Sequence, residues 1–294
     1  MSENDTLLAH LETGDTRVCR CWLVRRKDGT AHGFTDHDRD LSFDGHLFRA
    51  DTGLSAAMLQ QGTGLSVDNT EAVGALTGTA ITEADIEAGR FDGAEVTAWL
   101  VDWSDPKNRM LQFHGTLGEI RRAGGAFHAE LRGQTEALNQ AQGQVYHGQC
   151  SAVLGDARCG VDLGQPGLSA EVAVTAVEDR QQFVLEGLAG YEEGWFTRGR
   201  MKVLDGAAAG LVGVVKTDRR ADGARQVALW QPLGAAVAAG DRVRVEAGCD
   251  KQAGTCKAKF GNFLRFRGFP HIPGEDWLMS YPVSAGDNSG GRLR

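Results

Sequence analysis

The chain first shows a period of two. In RVCRCWLVRRKDGTAHGFTDHDRDLSFDGHLFRA, residues 17–50, Cys19, Cys21 and Leu23 share one parity and Arg20, Trp22 and Val24 the other, the alternation of a strand with two distinct faces. Asp28-Gly29 and Asp44-Gly45 interrupt it, and Asp-Gly between such runs signals a hairpin, so the region is predicted to be a β-meander. Alternation resumes from Leu54 to Trp103, broken by ITEADIEAGRFDG, where Thr82 can cap a short helix and Glu83 and Asp85 favour its first turn. Further strands are predicted over EVTAWLVDW, LQFHGTLGEI and AFHAELRG, the last two joined by a hairpin at Gly124-Gly125.

A second strand-rich stretch opens after Pro166. Val172 and Val174 alternate in EVAVTAVEDRQQFVLEGL, and the pattern continues through GRMKVLDG, LVGVVKTDRR, RQVALW and DRVRVEAG. Five or six short strands in so short a span predict a small sandwich or barrel. Beyond it, CDKQAGTCKAKFGNFLRFRGFPHIPGEDWLMSYP combines aromatics, glycines and three of the six prolines, which predicts a docked arm. The tail from Val283 is polar and glycine-rich and is expected to be loose. The fold class is therefore mainly β with minor α. The predicted divisions are an N-terminal β domain (1–137), a linker (138–166), a small β-barrel or sandwich (167–247) and a C-terminal arm (248–294).

Composition narrows this picture. Forty glycines among 294 residues, with only six prolines and no Gly-X-Y period, fit many turns between short strands and exclude collagen-like and Pro-rich disordered classes. The net charge of −8, from 39 acidic and 31 basic residues, is dispersed and does not look like a DNA-grasping surface. It fits ordinary solubility, or a surface past which a polyanion slides without sticking. The N-terminus lacks a basic segment followed by an apolar one, so a soluble protein made in the cytoplasm is expected. Its six cysteines then meet a reducing compartment, where spaced pairs point to metal ligation before disulfides.

Four of those cysteines form two pairs. Cys150 and Cys159 follow the first domain and Cys249 and Cys256 follow the second, so all four thiolates can converge if the ends of the second domain come together. Four thiolates suffice for one tetrahedral zinc or one cubane cluster. Eight and six residues intervene within the pairs, wider than the two to four typical of structural zinc, and such glycine-containing loops suit a bulkier iron–sulfur cluster. Buried free cysteines, or disulfides formed after release from the cell, also remain open. Cys19 and Cys21, side by side on one strand face, read instead as small core residues.

Other chemistry-bearing groups have plainer readings. In Asp36-His37-Asp38-Arg39-Asp40, strand geometry sends the aspartates to one side and His37 to the other, which suits a polar hairpin end better than a metal site. His147 could replace a thiolate but is superfluous beside four cysteines. Ser151 has no nucleophile elbow around it. Lys257, Lys259, Phe260, Phe263, Arg265, Phe266, Arg267 and Phe269 could form a single-strand stacking platform. The preferred reading is an arm whose aromatics pack on the protein and whose arginines line the cysteine site or a neighbouring subunit.

The segments GFTDHDRDLSFDGHLF, CSAVLGDARCGVDL and CKAKFGNFLRFRGFPHIPGEDW resemble signatures of the baseplate hub (tail-tip) family of phages and gene transfer agents, similar to the iron–sulfur tail-tip protein of lambdoid phages. The resemblance implies two tail-tube-like β modules per chain and a homotrimeric ring adapting a sixfold tail to a threefold tip. It implies a distal tail protein ring above, a central tip or fibre protein below, and DNA only in transit through the lumen. It implies a [4Fe–4S] cluster on Cys150, Cys159, Cys249 and Cys256, a place at the tail tip of a particle assembled in the bacterial cytoplasm, no stable membrane insertion and no enzymatic activity. Some relatives carry flavin dehydrogenase labels, which do not transfer because no Gly-x-Gly-x-x-Gly fingerprint is present. Two rival readings are an iron–sulfur enzyme acting on nucleic acid, which would need a basic groove, and a zinc-stapled binding module without redox chemistry.

Overall fold

A computed structural model describes residues 3–50, 54–56, 69–75, 81–123, 126–134, 143, 145–221 and 223–272. The Gly124-Gly125 turn, the boundary at residue 137 and the tail from Val283 lie outside the described residues. The fold is mostly β, as its alternating pattern predicts.

Nine strands form the first sheet: β1 (Val18–Arg25), β2 (Ala31–Thr35), β3 (Leu41–Phe43), β4 (His46–Arg49), β5 (Leu54–Ala56), β6 (Asn69–Ala75), β7 (Glu95–Asp102), β8 (Arg109–Ala123) and β9 (Ala126–Gly133). Their spatial order is β3-β4-β2-β1-β7-β8-β9-β6-β5. Both Asp-Gly pairs make the expected turns; at the second, Asp44 (φ 51°) and Gly45 (φ 75°) are both left-handed, as a two-residue hairpin of the favoured twist requires. The meander expectation is corrected in one respect: β4 runs parallel to β2, with Gly33 opposite Phe48. A Cβ at position 33 would lie 2.3 Å from the Leu47 carbonyl oxygen, so this close pairing depends on glycine.

The sheet is covered on both faces. Trp22, Val24, Phe34, Phe91 and Val96 share one apolar cluster, whereas Cys19, Cys21, Leu23, Phe43, Phe48 and Val101 share the other. The parity of β1 thus separates two cores, and Cys19 and Cys21 are core residues as read from sequence. Helix α1 (Glu3–Glu12), which the alternation does not reveal, packs beside β8 and buries Leu7 completely. The short helix α2 (Glu83–Glu87) has the predicted cap, the Thr82 hydroxyl accepting from the Asp85 amide at 3.2 Å.

Six strands close the second unit into a barrel: β10 (Ser169–Glu178), β11 (Gln182–Leu185), β12 (Arg200–Val203), β13 (Val212–Ala221), β14 (Ala224–Leu229) and β15 (Arg242–Glu246), in the order β10-β11-β14-β13-β12-β15. Closure depends on two strands that turn a corner. β10 pairs with β15 along its first half and with β11 along its second, shifting register between Val174 and Ala176. β13 does the same between β12 and β14, shifting between Val215 and Thr217. Phe183, Leu185, Phe196, Met201, Val243 and Val245 fill the interior. The consequence for function is that Ser169, at the barrel's entry, lies opposite Glu246, at its exit.

Candidate functional site

Because entry and exit strands are neighbours, the segments flanking the barrel leave the same rim. The Ala247 amide extends the pairing by donating to the Leu168 carbonyl at 2.8 Å. Cys150 and Cys159 lie on the incoming side and Cys249 and Cys256 on the outgoing side, and all four line one small cavity with the apolar side chains of Ala152, Leu154, Val161, Phe260 and Phe266. Leu163, Leu168 and Ala247, with Trp195 and Phe260 against them, form an apolar floor beneath it.

Each cysteine is placed by a local device. Cys159 ends a tight turn organised by Asp156, whose carboxylate accepts from the amides of Val153 (2.9 Å) and Cys159 (2.6 Å). Those bonds, the Cys159 amide first, hold this carboxyl below its usual range. Cys150 donates its amide to the Lys251 carbonyl at 2.9 Å, and its Sγ faces the Arg267 amide at 3.4 Å. Cys249 follows Gly248, where a Cβ would fall 1.7 Å from the Thr197 carbonyl oxygen, so the chain can leave the barrel here only as glycine. Cys256 sits on helix α3 (Ala253–Phe260), which ends at Gly261 with a left-handed φ of 59°.

The arm docks chiefly on the linker that precedes the barrel. Ser151 donates its amide to the Arg267 carbonyl (3.1 Å) and Phe269 to the His147 carbonyl (2.9 Å). Lys259 reaches inward, donating to the carbonyls of Trp195 (2.6 Å) and Gly248 (3.0 Å) with its ammonium 4.1 Å from the Trp195 ring centre. Of the basic aromatic run, Phe260, Arg265 and Phe266 line the cavity, while Phe263 and Phe269 remain exposed. Lys251, Asn262 and the inward course of Lys259 were not legible in sequence, since nothing in their spacing marks them.

Burial dominates the electrostatics. It pushes up the thiols of Cys249 and Cys256, and the charges that the other three cysteines would carry push Cys256 further. Lys251 opposes the rise at Cys249, and burial lowers Lys259. Among the described residues, no three His, Cys, Asp or Glu side chains stand close enough to hold a single metal ion. The donor set present is four soft sulfurs in an apolar pocket rimmed by Lys251 and Arg265, ligand chemistry that suits zinc or an iron–sulfur cluster alike.

The other candidates do not converge with this site. His147 lies outside the cavity lining, its Nδ1 accepting from the Gln149 amide at 3.0 Å. Ser151 Oγ donates to the Arg267 carbonyl and accepts from Arg158, a docking role. In the acidic turn Asp36 accepts from the Arg20 amide, Asp40 from Ala50, and His37 Nδ1 from Arg39; His37 Nδ1 also lies 3.0 Å from an Asp38 carboxylate oxygen, so the expected separation of His37 from all three aspartates is corrected. The turn is the polar end expected from sequence, but residues 36–39 are bends and not an alternating strand.

An open sheet, a closed barrel and a thiol site at the barrel's rim define a β scaffold protein. Comparisons with known proteins place it more closely. Residues 4–162 match the family described as baseplate hub protein, N-terminal attachment domain, and residues 194–276 match the family described as phage conserved hypothetical protein BR0599. A chain from the solved virion of a native gene transfer agent (GTA) particle is similar, with 58% identity, a TM-score of 0.92, and coverage of 99% of this chain and 100% of that one. No curated protein matches. The chain belongs to the phage baseplate hub family. It is a structural component of the tail tip of a virion-like particle, and not an enzyme.

Proposed function

We propose that the protein is the trimeric hub at the tail tip of a gene transfer agent or siphophage-like particle, carrying a [4Fe–4S] cluster on Cys150, Cys159, Cys249 and Cys256. Three copies form a ring that adapts a sixfold tail to a threefold tip, between a distal tail protein ring and a central tip protein, with DNA passing through the lumen during delivery. The likeness to a chain of a native gene transfer agent virion supports the assembly part of this reading.

The observation that carries the cluster is the meeting of two distant cysteine pairs in one cavity at the barrel rim. Thiolates around one tetrahedral zinc lie about 3.8 Å apart, as Zn–S bonds of roughly 2.3 Å dictate. The wide spacing within each pair, eight and six intervening residues, favours a group with several metal corners over one zinc ion. Bound there, the cluster would supply a redox-active cross-link among four segments. The protein's part is to hold the thiols in an apolar, cation-rimmed pocket and to tie linker, barrel and arm together.

Anaerobic purification of the wild type and of Cys159→Ser, with visible spectra and iron, sulfide and zinc analysis, tests this. Broad brown absorbance with about four irons and four sulfides per chain, lost in the variant, is expected. Stoichiometric zinc without colour would replace the cluster by a zinc staple, and metal-free folded protein would remove the metal reading altogether. Native mass spectrometry checks the ring: three chains are expected, and a persistent monomer would overturn the trimer.

A further inference from the structure

Two contacts join the cysteine pairs crosswise without any cofactor. Lys251, two residues beyond Cys249 and held at a left-handed φ of 66°, accepts the Cys150 amide on its carbonyl at 2.9 Å. Its ammonium donates to the Ala152 carbonyl, on the same incoming segment. Asn262 makes the second link. Its amide Nδ2 donates to the Cys159 carbonyl at 2.7 Å and lies 3.8 Å from Cys159 Sγ, while its backbone N–H donates to the Cys256 carbonyl at 3.1 Å. Gly261 permits this, since its left-handed conformation turns the chain at the end of α3 back over the Cys159 loop. Each link therefore ties one cysteine of the first pair to the segment of one cysteine of the second.

We propose that these two clamps assemble the four-thiol cavity before any cofactor binds, and that Asn262 is the positioning residue that brings Cys159 to Cys256. The side-chain amide is the essential group. A carbonyl can be reached only by a donor, and the same N–H lies beside the sulfur whose charge it would steady. The cavity would then be a preformed receptor for a thiolate-bound group, rather than loose segments gathered by the metal.

The test uses the full chain, in two readouts. The first needs no cofactor: reduced, metal-stripped protein carrying Cys150→Ser and Cys249→Ser is treated with dibromobimane, and peptide mass mapping follows the fluorescent Cys159–Cys256 cross-link apart from any formed by the neighbouring core thiols Cys19 and Cys21. Rapid cross-linking is expected in this background. Asn262→Ala slows it roughly tenfold, the low end of the effect of residues that hold ligands in place. Asn262→Asp, which keeps the size but loses the donor, slows it as much, while Leu264→Ala at a fully exposed position leaves it unchanged. The near-ultraviolet circular dichroism of the barrel serves as the folding control. The second readout rests on the cluster reading above: with all four cysteines restored, both Asn262 variants lose iron to a chelator roughly tenfold faster than wild type. Equal cross-linking rates in all variants, or an Asn262→Asp protein that behaves as wild type, would overturn the proposal even if iron is bound. Protein that cross-links as expected yet never holds metal would sink the cluster reading and leave the clamp standing.

Discussion

The sheet and the barrel solve the problem of strand edges in opposite ways. Among the described residues the sheet ends in β3 and β5, so its ladder is open at both sides, and it is buried on both faces by two separate cores. The barrel has no edge, encloses one core, and brings its own ends together at Ser169 and Glu246. An open ladder can be continued by another chain, whereas a closed one cannot. The barrel is therefore suited to a different task, acting as a rigid jig that holds the two cysteine pairs at fixed separation. The same β pattern yields an extensible surface in one half and a site-forming frame in the other.

The sharpest way to break this contrast is to open the barrel from within. Arg225 and Asp218 are 2% and 4% exposed and lie 3.3 Å apart, an ion pair without an aligned hydrogen bond between those atoms. The guanidinium also donates to the carbonyls of Glu192 (3.0 Å) and Tyr191 (2.9 Å), and Asp218 accepts from the Phe196 amide (2.9 Å). Together they hold the 188–196 loop, whose Trp195 carbonyl receives both Gly248 and Lys259 beneath the cysteine cavity. Arg225→Met leaves the carboxylate buried alone and is expected to cost about 3–5 kcal/mol. Equilibrium denaturation followed by hydrogen exchange should show the loss in the barrel strands and the cysteine segments, with the sheet protected; equal loss in both would show that the units are one cooperative body.

How much of this was readable beforehand depends on the range of the interaction. Alternation in β1, the Asp-Gly turns and the Thr82 cap are local and appear in the structure as the sequence predicts them. The site was half legible: four cysteines at domain ends suggest convergence, but only closure of β10 on β15 makes it happen. The parallel pairing of β4 with β2 was not legible, because it joins strands that the chain does not connect by a hairpin. Helix α3 was hidden by its length, eight residues containing a glycine, whose helical state rests on the arm around it. Arg225 reads as one more surface arginine in RRADGARQV, and only barrel closure buries it beside Asp218.

A smaller effect comes from pH, because the buried carboxyls of the two units shift in opposite directions. Burial raises Asp102, but bonds from the Ser104 hydroxyl and amide, with Arg17 nearby, outweigh it and leave its pKa below the usual 3.8. The unfolded chain then takes up the proton first, so the stability this group lends the sheet is present above about 3.8 and is lost as pH falls through the folded value. At Asp218 burial prevails over the Phe196 amide and Arg225, and the pKa is raised. Here the folded barrel binds the proton first, so stability rises as pH falls through the folded value towards 3.8. Fluorine NMR of 5-fluorotryptophan protein separates the units, since Trp22 and Trp99 lie in the sheet and Trp195 and Trp230 in or beside the barrel. On acidification the sheet signals should broaden or shift first, and Asp102→Asn should remove the difference; simultaneous loss would contradict it.

The smallest expected effect tests the joint between the two units. Arg90, just beyond α2, donates to the Ala207 carbonyl of the barrel at 2.7 Å and pairs with Asp85 of the helix at 3.2 Å. From the other side, Gly234 comes so close that a Cβ there would lie 2.6 Å from the Glu87 carbonyl oxygen. A helix of only five residues thus serves as the seat of the barrel on the sheet, and its stability depends on the Thr82 cap. Thr82→Ala should cost about 1 kcal/mol, and Thr82→Ser, which keeps the hydroxyl, almost nothing. Hydrogen exchange localises the loss. If the barrel is mounted through this helix alone, faster exchange reaches the 207–211 and 231–234 loops as well as α2. Confinement to residues 82–90 would mean that the barrel is held to the sheet by contacts other than α2.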